Sequence, residues 1–177
     1  MKFAKVALLV GMGFVGMNAA NAADQGNGSV TFTGSIIDAP CSITPQTADQ
    51  TVPLGQVSAA ALANGGTSTP VPFTIDLENC TLDKTGGDTV SVTFDGTADA
   101  TDATMLGLAG TASGAGIVIG DAGSQQIDLG VPSAASGLVE GANSLQFSAW
   151  LKGEAGASAT VTPGDFQSVA NFTLAYN

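Results

Sequence analysis

The chain contains no histidine and no arginine, and only four lysines among its 177 residues. Without histidine, neither a Ser-His-Asp triad nor a histidine general base can be assembled. With so few cations, the chain cannot displace counterions from a nucleic acid or settle on an anionic membrane surface. It has two cysteines, Cys41 and Cys80, with no CxxC pair to join them in a thiolate–imidazole metal site. Tryptophan and tyrosine occur once each, as Trp150 and Tyr176. Beyond the N-terminal run, no stretch is long and apolar enough to cross a bilayer.

That N-terminal run has its own signature. Lys2 and Lys5 give a basic start, "VALLVGMGFVGM" a short apolar core, and Ala20-Asn21-Ala22 a small-residue cleavage site. Residues 1–22 are therefore expected to be a secretory signal, leaving residues 23–177 as one exported domain with a real core. In that part Lys84 and Lys152 stand against 15 acids, a balance that favours solubility outside the cell. Export places Cys41 and Cys80 in an oxidising compartment, and a disulfide between them is expected.

Nearly every periodic segment has period two, the mark of strands with one buried face. Val71, Phe73, Ile75 and Leu77 alternate, as do Val90, Val92 and Phe94. Ile117 with Ile119 and Ile127 with Leu129 flank the turn "GDAGSQ". Leu145, Phe147, Ala149 and Leu151 form a further set, and Ala170, Phe172, Leu174 and Tyr176 the last. Gly, Asn, Asp, Ser and Pro fill the breaks between them, as turns require. One short helix is predicted around "QVSAAALAN", ended by Gly65-Gly66, and "GLAGTASGAG" at 107–116 reads as a flexible loop. The pattern predicts an all-β sandwich. Two features do not fit a closed one. "GSVTFTGSIID" at 28–38 is a strand with no hairpin partner, its face formed by Gly28, Val30, Phe32, Gly34 and Ile36. The final strand ends at Tyr176 with nothing after it, leaving an apolar edge open.

A surplus strand at the start and a missing one at the end resemble the pilin subunits of the bacterial chaperone–usher pathway, with P-pilus-type rod pilins nearest. "GSVTFTGSIIDAPCSI" is similar to their N-terminal extension running into the first cysteine. Gly164 and Tyr176 stand fourteenth and second from the end of the chain, a family spacing. The two-cysteine spacing and "VPLGQVSAAAL" also match. The resemblance implies an incomplete immunoglobulin-like sandwich of six strands, with residues 23–37 as a donor strand and 38–177 as the pilin domain. It implies a structural subunit of an extracellular fimbria on the bacterial surface that supports adhesion, reached by export through the periplasm. Its partners are then further copies, other pilus subunits, a periplasmic chaperone and an outer-membrane usher. In that scheme Gly28, Val30, Phe32, Gly34 and Ile36 enter a groove lined by Gly164, Phe166, Ala170, Phe172, Leu174 and Tyr176. The chaperone's basic residues would hold the carboxylate of Asn177. Gly34 fits either a shallow pocket in that groove or a bulge. With so little basic charge, contacts between turns of a rod are expected to be apolar and hydrogen-bonded.

The carboxylates, asparagines and Trp150 admit other readings. Asp76 and Glu78 share a strand face and read as solvated surface, not as carboxylates placed across a cleft. Asp95, Asp99 and Asp102 in "DGTADATD" lack EF-hand spacing and read as an acidic turn. No cofactor, metal or catalytic residue is assigned. Asn27, Asn79 and Asn171 begin N-x-S/T triplets that read as chance. The remaining alternative is a secreted carbohydrate-binding sandwich or a minor, tip-proximal subunit. Trp150, out of phase with the apolar face of its strand, would there be a sugar platform. A contact in a wound rod or packing on the strand's second face explains the same position.

Overall fold

In this computed structural model, residues 28–82, 89–156 and 160–177 are described. The predicted signal at 1–22 lies outside them, as do residues 23–27 of the extension and Lys84. The chain divides into two units, Met1–Ile36 and Ile37–Asn177. In the first unit, residues 28–36 belong to no sheet. Val30, Phe32 and Ile36 are 77%, 90% and 104% exposed. The predicted strand is thus written in the sequence but, among the described residues, is paired with none, and a strand forms only when a neighbour's backbone groups hold it.

The second unit runs through β1 (Ser42–Ile43), α1 (Pro45–Ala48), α2 (Ala59–Leu62) and a 3-10 turn (Ala63–Gly65). It continues with β2 (Val71–Cys80), β3 (Thr89–Gly96), β4 (Ala109–Gly110), β5 (Ala115–Asp121), β6 (Gln126–Ile127) and β7 (Ser136–Gly137). It closes with β8 (Gly141–Gly153), β9 (Phe166–Gln167) and β10 (Ala170–Tyr176). The strands form antiparallel sheets ordered β1-β2-β8-β5-β6 and β10-β3-β7, with β4 paired to β9. Phe73 and Phe147 of the first sheet meet Phe94 of the second, with ring centroids 5.1–6.2 Å apart. Ile75, Leu77, Val90, Val92, Leu145 and Leu151 fill the space around them. The alternation predicted for β2, β3, β8 and β10 therefore lies on inward faces.

The helix is shorter than the segment that predicts it. Ser58 caps it, its Oγ accepting from the Ala60 N–H at 3.2 Å. It stops where Asn64 and Gly65 turn left-handed, with φ of 57° and 79°. Cys41 and Cys80 are joined, tying the start of β1 to the end of β2.

Two sequence readings are corrected. The segment 107–116 is not a free loop. β4 pairs with β9, the N–H groups of Thr111 and Ala112 both donate to the Asp165 carbonyl, and Ser113 and Thr162 exchange backbone hydrogen bonds. Trp150 is not a sugar platform. It is buried with Met105 and Val118 on the second face of the larger sheet, over Gly120, where a Cβ would meet the indole at 2.6 Å. Of the explanations offered for its position, packing on the second face is the one observed.

Candidate strand-acceptor groove

Between the two sheets lies an apolar groove of about 1120 Å³. Phe73, Phe94, Ile117, Ile119, Ala149 and Leu151 form its floor, and two extended segments form its rims.

The first rim is β9 and β10. β10 is an edge strand, bonded to β3 on one side and, among the described residues, to no strand on the other. Asn177 and Thr89 exchange hydrogen bonds at 3.0 and 3.1 Å, and the Thr89 hydroxyl also donates to the Asn177 oxygen. Antiparallel pairs alternate between bonded and non-bonded positions. The register Ala175↔Ser91, Thr173↔Thr93 and Asn171↔Asp95 therefore carries the bonds to β3. The N–H and C=O groups of Ala170, Phe172, Leu174 and Tyr176 point the other way, to the open edge. The same four residues turn their side chains inward, and none is fully buried. A partly bare apolar face thus coincides with a row of free backbone donors and acceptors.

The second rim is residues 51–57. Among the described residues, no backbone–backbone hydrogen bond joins this segment to anything. Val52, Leu54 and Val57 are half-buried along it. The segment is fixed at its start by Gln50, whose Nε2 donates to the Thr74 carbonyl at 2.9 Å. The sequence places the second half of "VPLGQVSAAAL" in a short helix and leaves its first half unassigned. The alternation of Val52 and Leu54 was the available signal.

Of the residues named for the acceptor, Gly164, Phe166, Ala170 and Phe172 lie in the groove lining. Leu174 and Tyr176 lie on the same face of β10, packed on the core beyond the groove. Partial burial raises the Tyr176 phenol above its ordinary pKa. A Cβ on Gly164 would stand 2.5 Å from Thr111 Oγ1 and 2.6 Å from the Ala112 nitrogen, so this glycine permits the close crossing of two backbones. A Cβ on Gly28 or Gly34 would touch nothing within 4 Å.

The carboxylates serve local structure. Asp76 accepts from the Ser144 hydroxyl at 2.6 Å. Asp99 accepts from the N–H groups of Thr101 and Asp102. Asp102 accepts from the hydroxyl and N–H of Thr104, which hold its pKa below the usual value, with Lys152 at 3.8 Å adding to the effect.

An open apolar groove between two unpaired backbone rims is suited to receive one extended strand. Residues 30–177 match the family model described as fimbrial protein. The chain is 55% identical to the Fimbria A protein of Serratia marcescens over 99% of both chains. It is 52% identical to the Major MR/P fimbria protein of Proteus mirabilis, again over 99% of both. Among solved structures it resembles a chaperone–usher pilus studied for its rod uncoiling, with a TM-score of 0.76 and 36% identity over 86% of this chain and 97% of the other. The P pilus rod subunit PapA matches with a TM-score of 0.68 and 36% identity, over 78% of this chain and all of that one. With its incomplete immunoglobulin-like sandwich and with this match over most of its length, the chain belongs to the fimbrial protein family.

Proposed function

We infer that this chain is a structural, non-enzymatic subunit of an extracellular fimbrial rod, polymerised when residues 23–37 of one copy enter the groove of the next. The observation that carries this reading is the pairing of two deficits in one chain. The groove is an apolar face short of a strand, and the extension is a strand short of a face, with Val30, Phe32 and Ile36 exposed. Burying those three side chains would contribute about 5–9 kcal/mol before ordering costs. Each backbone hydrogen bond formed along β10 or residues 51–57 adds about 1 kcal/mol net. Gly34 then sits where the groove is too shallow for a side chain. Before assembly, a periplasmic chaperone covers the open edge and its basic residues grip the Asn177 carboxylate. An outer-membrane usher then exchanges the chaperone's strand for the extension of the next copy.

The test uses the chain without residues 23–37 and a peptide spanning them. A large rise in unfolding midpoint with the peptide, lost with Gly34→Trp, is the expected result. An unchanged midpoint would mean that the sandwich is already complete, and polymerisation by strand exchange would be abandoned.

A further inference from the structure

The extension has a second face. Between Val30, Phe32, Gly34 and Ile36 stand Ser29, Thr31, Thr33 and Ser35, hydroxyl-bearing without exception. The outward face of the smaller sheet has the same chemistry. On β10 it presents Asn171, Thr173 and Ala175, all exposed, while their cross-strand partners on β3 include Thr93, half-buried, and Ser91, buried. Among the described residues of β10 and β3, the one charged side chain on this face is Asp95, opposite Asn171 at one end, with the Asn177 carboxylate at the other. The larger sheet is different: its outer side carries Asp76 and Glu78, and over β5 and β8 it is covered by the chain's own Met105. In a chain of formal charge −11, the β10 row of the smaller sheet is thus exposed and, among the described residues, poor in charged side chains.

We propose that this face, widened by the extension of the neighbouring copy, is where copies not joined by a strand pack against one another as the fibre coils. The proposal rests on the strand-exchange reading above and deepens it by assigning the contact between turns. A strand added at the free edge of β10 alternates its side chains as β10 does. With Val30, Phe32 and Ile36 facing the groove, Ser29, Thr31, Thr33 and Ser35 continue the row of Asn171, Thr173 and Ala175. The joint itself therefore creates a composite surface that neither copy has alone. The occupant is a second copy on charge grounds, because acidic faces of identical chains repel when opposed, and this face carries the least of that charge. Short hydroxyl side chains also lose little rotamer freedom when packed.

The test compares fibres of the full chain with those of Thr31→Asp, Thr173→Asp and, as a control on the larger sheet, Gln146→Asp. The two Thr variants are expected to give undiminished sedimentable fibre but to lose the compact rod, appearing as thin extended filaments under the electron microscope. Raised salt should restore the rod, and Gln146→Asp should leave it unchanged. Rods of ordinary diameter in both Thr variants would overturn the proposal. If Thr173→Asp fails to fold, Thr31→Asp, which lies outside the folded domain, decides alone. Failure of the unaltered chain to form any fibre would overturn the strand-exchange reading, and this contact with it.

Discussion

Tyr176 is the chain's single tyrosine, so its titration needs no assignment. Burial raises its phenol above the ordinary value of 10.0. The unfolded chain then releases this proton first, so the contribution to stability is complete below that value. It is lost as pH rises through the raised one. Phenolate absorbance should show a midpoint above 10.0 in the folded chain, falling back in denaturant. A bound extension peptide should raise it further if the strand reaches the end of β10. A midpoint indifferent to the peptide would place Tyr176 beyond the occupied part of the edge. Gly164 is a test of another kind. Adding one methyl there pushes on the backbone of residues 111–112. Gly164→Ala is expected to cost about 1–3 kcal/mol, read as a lower thermal midpoint of the isolated domain. Gly34→Ala, made in the full chain, lies in the extension and not in the domain, and should leave the midpoint of the full chain where it was.

Among the elements, β1 is only two residues long, and the disulfide anchors it. Cys41 and Cys80 lie 39 positions apart, and closing a loop of that length contributes about 4 kcal/mol in the chain-entropy estimate. Replacing both by serine should lower the denaturant midpoint to match. No change would show that the unfolded chain is already restrained. The strands legible beforehand, β2, β3, β8 and β10, each alternate three or four apolar residues, even though β8 also buries Ser148 and Trp150 on its second face. β5 showed only Ile117 and Ile119, since the opposite face, at Val118, is buried as well. The cover over Trp150 comes from Met105, 45 positions earlier, and no local pattern reports it. The 107–116 segment was misread for a different reason. Glycines that let two backbones touch, such as Gly110 against the Asp165 carbonyl, look in sequence like glycines that let a loop move. Half of the site was legible in the same way. The inward parity of β10 exposed one rim, but residues 51–57 pair with nothing among the described residues, and such a segment carries only two or three alternating residues as its sign.

At the scale of the whole molecule, the strand exchange proposed above would make every copy both a donor and an acceptor, with the two roles in separate units of the chain. They can therefore be disabled one at a time. Gly34→Trp spoils the donor while leaving the groove intact, because Gly34 belongs to the first unit and the groove is lined by residues of the second. Such a copy accepts one extension and offers none that fits, so it ends whichever fibre it joins. Mixed with unaltered chain, it should shorten fibres in inverse proportion to its share, while the total protein held in fibres falls little. A polymer grown instead through flat surface contacts would incorporate the variant freely, and its length distribution would not move. Electron micrographs of a mixing series separate the two cases. Lengths independent of the variant's share would refute a linear polymer in which each copy depends on its neighbour's strand to complete its own core.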